Sequence, residues 1–345
     1  MLDDQNIIIQ RDPSGALQAI QHLPEQATFT PDIHGDIAPR TFSRIVMASM
    51  GGSALAADMV KVLVRDVLTV PLEVVKGYTL PAYVDDQTLV IAISHSGNTE
   101  ETLSCYEQAK ERGAALVAMA TGGALQEYAE RDNVPFALVP NGAQPRMSTV
   151  YHLRILLQIL QQYTLIDSTL YDGIANSSDW LREHINHWSP EVPTEHNYAK
   201  QIAERAAGKI GMFYGGELTA PIAYKWKISW NESSKNVAFW NQFPEFNHNE
   251  FIGWVSHPIE KPFAVFDLRS HLENPRITER MELTDQMLSG NRPHTKSIQL
   301  EGESLVQQFL WGLAFADMSS VYLAILNNVN PVPVELVEKF KQALS

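Results

Sequence analysis

The order strand, Gly-Gly, helix occurs twice in this chain and limits what it can fold into. Arg44-Ile45-Val46-Met47-Ala48-Ser49 is a largely apolar run that meets Met50-Gly51-Gly52-Ser53, and Ala54 to Val64 continues as a helix. Lys209-Ile210-Gly211-Met212-Phe213-Tyr214 meets Gly215-Gly216-Glu217, and Leu218 to Lys235 is the helix after it. A strand that turns on glycine into a helix begins a βαβ unit. Two such openings in 345 residues predict two copies of one α/β fold with diverged sequences.

The remaining elements fit that plan. Strands are predicted at Leu72–Val75, Thr88–Ile93, Ala115–Ala120 and Phe136–Val139. Helices follow from the Ser94–Thr102 turn to about Arg112 and over Gly123–Arg131. The run at Thr88–Ile93 is continuously apolar, the pattern of a central parallel strand covered on both faces. Met147 to Ile166 reads as an apolar closing helix, Asp167–Trp188 as a linking helix, and Pro190 and Pro193 mark a boundary. In the second half, helices are predicted over Asn197–Ala207, Arg276–Leu288, Glu303–Asn327 and Val334–Leu344, with strands at Phe263–Asp267 and Thr295–Leu300. The expectation is an α/β chain of two doubly wound domains with mainly parallel sheets flanked by helices, plus a C-terminal helix. The divisions fall at 1–37 (a helical extension, with a helix from about Asp12 to Leu23), 38–166, 167–195 (a helical linker), 196–328 and 329–345.

Composition narrows the function. A formal net charge of −14 argues against a nucleic-acid surface. The one cysteine, Cys105, excludes a disulfide framework and a Cys-rich zinc site. The start, Met1-Leu2-Asp3-Asp4, is acidic where a signal peptide is basic. No run is expected to reach the roughly eighteen apolar residues of a membrane span, so a cytoplasmic protein is predicted.

Two loops carry hydroxyls at predicted strand C-termini. They are Gly51-Gly52-Ser53 and Ser94-His95-Ser96-Gly97-Asn98-Thr99. Ligands of open parallel sheets bind at those ends, where helix N-termini converge. Free backbone N–H groups and the helix dipole hold an anion there, and hydroxyls add donors without bulk. The pattern predicts a phosphate cradle without lysine. Glu100 and Glu101 fit the first turn of the following helix and are expected to point outward.

A second constellation is Trp226-Lys227-Ile228-Ser229-Trp230-Asn231-Glu232-Ser233-Ser234-Lys235, followed by Pro244-Glu245-Phe246-Asn247-His248-Asn249-Glu250. Trp226 and Trp230 share one helix face. Glu232 near two indoles is expected to be partly desolvated, which raises a carboxyl pKa and suits it to act as a base.

Met50-Gly-Gly-Ser-Ala54 with Ser94-His-Ser-Gly-Asn-Thr-Glu-Glu-Thr102 resembles the sugar isomerase (SIS) domain, whose family binds phosphosugars. Tyr214-Gly-Gly-Glu-Leu-Thr-Ala-Pro-Ile-Ala-Tyr-Lys-Trp-Lys227 is similar to the second such domain of the bifunctional phosphoglucose/phosphomannose isomerases. Asn141-Gly-Ala-Gln-Pro-Arg146 and Asn247-His-Asn-Glu250 are further signatures of that family, and the resemblance covers about residues 38 to 345. It implies two SIS-type domains and a cofactor-free, metal-free interconversion of glucose or mannose 6-phosphate with fructose 6-phosphate. By this resemblance Glu232 is the base, and His248 opens the sugar ring from the other subunit of a homodimer. Arg146 lies near O1 and O2, and Lys341 helps ring opening, with Lys339 as the competing choice. Gly52, Ser53, Ser94, Ser96 and Thr99 hold the phosphate of the hexose substrate.

The chain departs from the family at several points. His95 stands where Tyr is common, Asn231-Glu232-Ser233-Ser234-Lys235 where Asn-Glu-Asn-Ala-Lys is common, and Ser49 where Gly is common. Val332 replaces a hydroxyl residue. These bear on sugar preference more than on reaction type. Three alternative readings are a non-catalytic SIS protein that senses phosphosugars, a glucosamine-phosphate synthase fragment, and a zinc mannose-phosphate isomerase using His248 and Glu250. The first lacks an output domain, the second an N-terminal cysteine and the third a His-x-x-x-His pair.

Overall fold

The computed structural model describes residues 1–37, 39–142, 144–256 and 261–344. The expected domain start at residue 38 and the chain end at residue 345 lie outside the described residues. The chain divides into two compact units, Pro24–Asp179 and Met1–Leu23 with Trp180–Ser345.

The unit Pro24–Asp179 is built on a six-stranded sheet. Its strands are β1 (Asp32–His34), β2 (Arg44–Ser49), β3 (Leu72–Val75), β4 (Thr88–Ile93), β5 (Ala115–Ala120) and β6 (Phe136–Leu138), in the order β1-β6-β5-β4-β2-β3. All pairs are parallel except β1 with β6. Every residue of β4 is buried, and β4 pairs with β2 on one side and β5 on the other. The continuous apolar run therefore is a central strand, as its pattern predicts.

The second unit has β7 (Ile210–Gly215), β8 (Ala238–Gln242), β9 (Phe263–Arg269) and β10 (Lys296–Gln299). They form a wholly parallel sheet in the order β10-β9-β7-β8. Counted from the strand before each Gly-Gly turn, the two sheets run 2-1-3-4-5 and 2-1-3-4. The duplication read from two short motifs thus extends to strand order.

The core of the second unit is aromatic. Phe213 on β7 packs against Trp226 at 5.4 Å, Trp230 at 4.8 Å and Phe266 at 5.4 Å between centroids. Helix Leu305–Leu326 brings Phe315 to 5.4 Å from Trp226. That helix also carries Asp317, which accepts from Lys225 Nζ at 2.6 Å and Ser229 Oγ at 2.8 Å. Both members of this ion pair are buried.

Several expectations change. The short strand β1 and the edge strand β8 are additions. The helix expected over Asp12–Leu23 is interrupted, because the buried Asp12 carboxylate accepts from Ala16 and Leu17 N–H and starts a new helix, Ala16–Gln21. The linking helix is two helices, Thr169–Asn176 and Ser178–Asn186. One helix, Leu305–Leu326, is long and apolar enough to cross a membrane, contrary to expectation, but 94% of its most apolar window is buried inside the protein.

Removing one partner of a buried ion pair strands the other charge. Lys225→Met is expected to lower unfolding free energy by about 3 kcal/mol or more, whereas Lys225→Met with Asp317→Leu recovers most of it. Urea unfolding of the two variants checks this.

Candidate active site

The strand order reverses at β2, so the crossovers from β2 and β4 leave in different directions and a gap opens between their C-terminal ends. Both hydroxyl loops sit there. Ser49 Oγ donates to Ile93 O at 2.9 Å and ties the two strand ends. Gly51, Gly52 and Ser53 form the first turn of helix Gly51–Leu63. Ser53 Oγ accepts from His95 N–H at 3.3 Å, which joins the two loops.

The second loop is organised from within. Ser94 Oγ lies 2.8 Å from Thr99 Oγ1 and accepts from Gly97 N–H at 3.0 Å. Gly97 has φ +74° and a Cβ there would meet Gly122 O at 1.8 Å, so no other residue fits. Ser96 is exposed, Thr99 half-buried, and Thr99 is the N-cap of helix Glu100–Glu111. Glu100 is exposed and accepts from Tyr78 Oη at 3.1 Å, the expected outward orientation.

Arg146 belongs to the same neighbourhood. It lies in a 3-10 turn, Pro145–Met147, and is 1% exposed. A Cβ on Gly52 would come within 3.3 Å of Arg146 N and Pro145 C. Gly52 therefore has a packing role as well as a backbone donor's position. The unit gathers two helix N-termini, three hydroxyl residues besides the buried Ser94, and one buried guanidinium group about a single gap. Such an arrangement of dipoles suits an anion.

His152 is a residue that sequence reading passed over, being one imidazole in an apolar helix. It is fully buried in helix Thr149–Gln162, edge-on to His95 with centroids 5.5 Å apart. Neither ring nitrogen has a hydrogen-bond partner among the described residues. Burial, and secondarily the neighbouring His95, push its pKa down from 6.5 to about 3. It forms a neutral floor beneath the Ser94–Thr99 loop.

Glu232 ends helix Ala220–Glu232 and is half-buried. The indoles are not what surrounds it. Trp226 and Trp230 are fully buried in the aromatic core, and Glu232 projects from the other side of the helix. The desolvation expected from them is therefore corrected. Glu232 instead borders a cleft of about 730 Å³ with Asn236, Val329, Pro333, Val334 and Lys339. Its helix end is firmly capped: Lys235 Nζ donates to Glu232 O at 2.5 Å, Ser234 Oγ to Trp230 O at 2.6 Å, and Asn327 Nδ2 to Ser234 O at 3.0 Å. Lys341 is on helix Glu335–Leu344, exposed, 3.3 Å from Glu338. Of the two lysines, Lys339 lines the cleft.

His248 is exposed on a 3-10 turn, Glu245–His248, just past the C-terminal end of β8. The helix carrying Glu232 runs back from β7 to the N-terminal end of β8. The two residues thus stand at opposite ends of a five-residue strand, about 16 Å of backbone. Within one chain they do not meet.

The equivalent gap in the second unit is already occupied. At the turn after β7, the buried Glu273 carboxylate accepts from Leu218 N–H at 3.0 Å, and Thr219 Oγ1 donates to Leu268 O at 2.8 Å. A side-chain carboxylate fills this turn from within the unit. No group of three or more His, Cys, Asp or Glu is placed to hold a metal among the described residues.

Because folding holds His152 neutral while the unfolded chain protonates it below about 6.5, its contribution is lost as pH falls from 6.5 toward 3. The slope is about 1.4 kcal/mol per pH unit. Between pH 7 and 4.5 the wild type is expected to lose about 2.5 kcal/mol more than His152→Phe. Equal losses in denaturant titrations at both pH values would refute this.

Residues 41–145 match the SIS domain family, and residues 195–344 match the bacterial phospho-glucose isomerase C-terminal SIS domain. A bifunctional phosphoglucose/phosphomannose isomerase of Caldicellulosiruptor bescii is 35% identical over 95% of this chain and 98% of that protein. One of Aquifex aeolicus is 34% identical over 91% and 93%. The C-terminal domain of glucosamine-fructose-6-phosphate aminotransferase from Francisella tularensis superposes with a TM-score of 0.68 at 14% identity, covering 95% of this chain and 98% of that one. The strand order shared by both sheets and these matches agree: the chain belongs to the bifunctional phosphoglucose/phosphomannose isomerase family.

Proposed function

We propose that this chain is a cofactor-independent aldose–ketose isomerase that interconverts glucose 6-phosphate and mannose 6-phosphate with fructose 6-phosphate. The observation that carries the reading is the gap between β2 and β4, where two joined hydroxyl loops and a buried arginine suit the phosphate end and enediolate of one sugar. Gly52, Ser53, Ser94, Ser96 and Thr99 hold the phosphate; Ser94 acts mainly by setting the loop's shape. His248 and Lys341 open the ring by moving a proton between the ring oxygen and the anomeric hydroxyl. Glu232 then takes the proton from C2 and returns it to C1 while the hydroxyl proton passes from O2 to O1, and Arg146 stabilises the negative oxygens between the two steps. The substrate's own carbonyl acidifies the C–H, so the step needs no metal or organic cofactor.

In this reading the first SIS domain supplies phosphate binding and the second supplies the base. The working form is a cytoplasmic homodimer. Support for the dimer comes from β8: Glu232 and His248 stand at its opposite ends, so a histidine acting with Glu232 comes from a second copy. Val237, Phe239 and Trp240 on and beside that edge strand are exposed apolar residues that a second copy can cover.

A coupled assay with fructose 6-phosphate, reading glucose and mannose 6-phosphate separately, tests the reaction; binding without turnover would favour the phosphosugar-sensing alternative. Glu232→Gln is expected to abolish turnover and leave phosphosugar binding near wild type. Near-normal turnover would remove Glu232 as the base. Parallel Lys339→Ala and Lys341→Ala variants decide which lysine acts.

Mixing Glu232→Gln subunits with His248→Ala subunits, each strongly impaired alone, is a sharper test of the assembly. The mixed dimer has one site with Glu232 from one subunit and His248 from the other intact. Activity is expected to return on subunit exchange. No recovery in verified mixed dimers would refute delivery of His248 across the interface.

A further inference from the structure

The turn that carries His248 is anchored on nearly every other side chain. Phe246 is fully buried, 4.8 Å from Tyr214 and 4.9 Å from Phe243 between centroids. Asn247 Nδ2 donates to Thr284 Oγ1 at 2.9 Å, and Asn247 Oδ1 accepts from Arg280 at 3.3 Å. Asn249 Oδ1 accepts from Glu250 N–H at 2.6 Å, and Asn249 Nδ2 donates to Glu245 at 2.5 Å. The centre of the network is Glu250. Its Oε1 accepts from Tyr214 Oη and from Trp254 Nε1 at 3.2 Å, and its Oε2 accepts from Asn241 Nδ2 at 2.8 Å.

These three donors come from β7, from β8 and from the end of the short helix Glu250–Gly253. An ionised carboxylate is acceptor-only and satisfies all three. A glutamine does not. Its NH2 would face Asn241 Nδ2, and Asn241 cannot simply turn over, because its Oδ1 already accepts from Gln242 N–H at 2.8 Å. With both carboxylate oxygens so engaged, Glu250 is poorly placed to act as a metal ligand or proton-transfer group.

We infer that Glu250 is the positioning residue for His248: its carboxylate clamps the Asn247–Glu250 turn to β7 and β8 and so sets the imidazole for ring opening. The inference rests on the proposed role of His248. The charge matters because acceptor capacity on both oxygens, and not bulk, holds the turn. Misplacement by an ångström is costly for proton transfer, while the phosphate grip stays intact.

Steady-state kinetics of the full-length protein, with fructose 6-phosphate as substrate, test it in a double-mutant cycle of Glu250→Gln and His248→Ala. Glu250→Gln is expected to lower kcat on the order of tenfold to hundredfold, with KM changed less than about twofold. In the His248→Ala background it is expected to add nothing, because the residue it positions is gone. Tyr214→Phe keeps the carboxylate and removes one donor, so it should show a smaller loss confined to kcat even if Glu250→Gln does not fold. Wild-type kcat in Tyr214→Phe or Glu250→Gln, or an equal fold loss with and without His248, would overturn the inference while leaving the isomerase reading standing. Full activity of His248→Ala would overturn the role of His248 itself, and this inference with it.

Discussion

In an open parallel sheet each strand must be re-entered from the same end, so every connection crosses over a face, and with crossovers of one hand, covering both faces requires the strand order to reverse somewhere. At that reversal two neighbouring loops part and leave a gap. In this protein the gap lies between β2 and β4, and much of the chemistry of the first unit follows from it. Helix N-termini converge there, so an acidic chain of net charge −14 can hold an anion with few cations. Small residues and hydroxyls in these loops let another group approach the backbone closely.

The same constraint acts twice, with different outcomes. The second sheet reverses at the same point in its order, yet Glu273 satisfies the donors of its turn from inside. That leaves the second unit to contribute at other places. Glu232 stands at the far end of its helix, away from the C-terminal edge of the sheet, and His248 stands at that edge. The fold thus places these two residues at opposite ends of the sheet. The length of β8 holds these two residues about 16 Å apart along the backbone within one chain.

Charge burial is treated differently in the two places. Lys225 and Asp317 are paired deep in the core, with Ser229 completing the carboxylate's bonds. Beside the Ser94–Thr99 loop, His152 is buried without hydrogen-bond partners among the described residues and stays neutral. Charge in the core is thus held as a neutralised pair, and beside the anion gap it is kept off the imidazole altogether.

Much was legible in the residues alone. The apolar run of β4, the glycine turns and the spacing of hydroxyls are local patterns, and periodicity reports local patterns faithfully. The two hydroxyl loops could be assigned to strand ends, and both lie there. What the sequence could not decide is what lies across from what. β8 has three exposed positions in five, no alternation, and becomes a strand only because β7 offers it an edge. Trp226, Trp230 and Glu232 are adjacent in sequence and were expected to be neighbours, but the helix turns them to opposite sides. Lys339, not Lys341, borders the cleft because a two-residue step on a helix reverses the face. The chain by itself determined the elements, the family signatures and the chemical kinds available for a site, since these depend on side chains and near neighbours. The tertiary structure alone decided that Glu273 fills the turn of the second unit, that Arg146 packs on Gly52, and that Glu232 and His248 face apart, since these depend on contacts between segments distant along the chain.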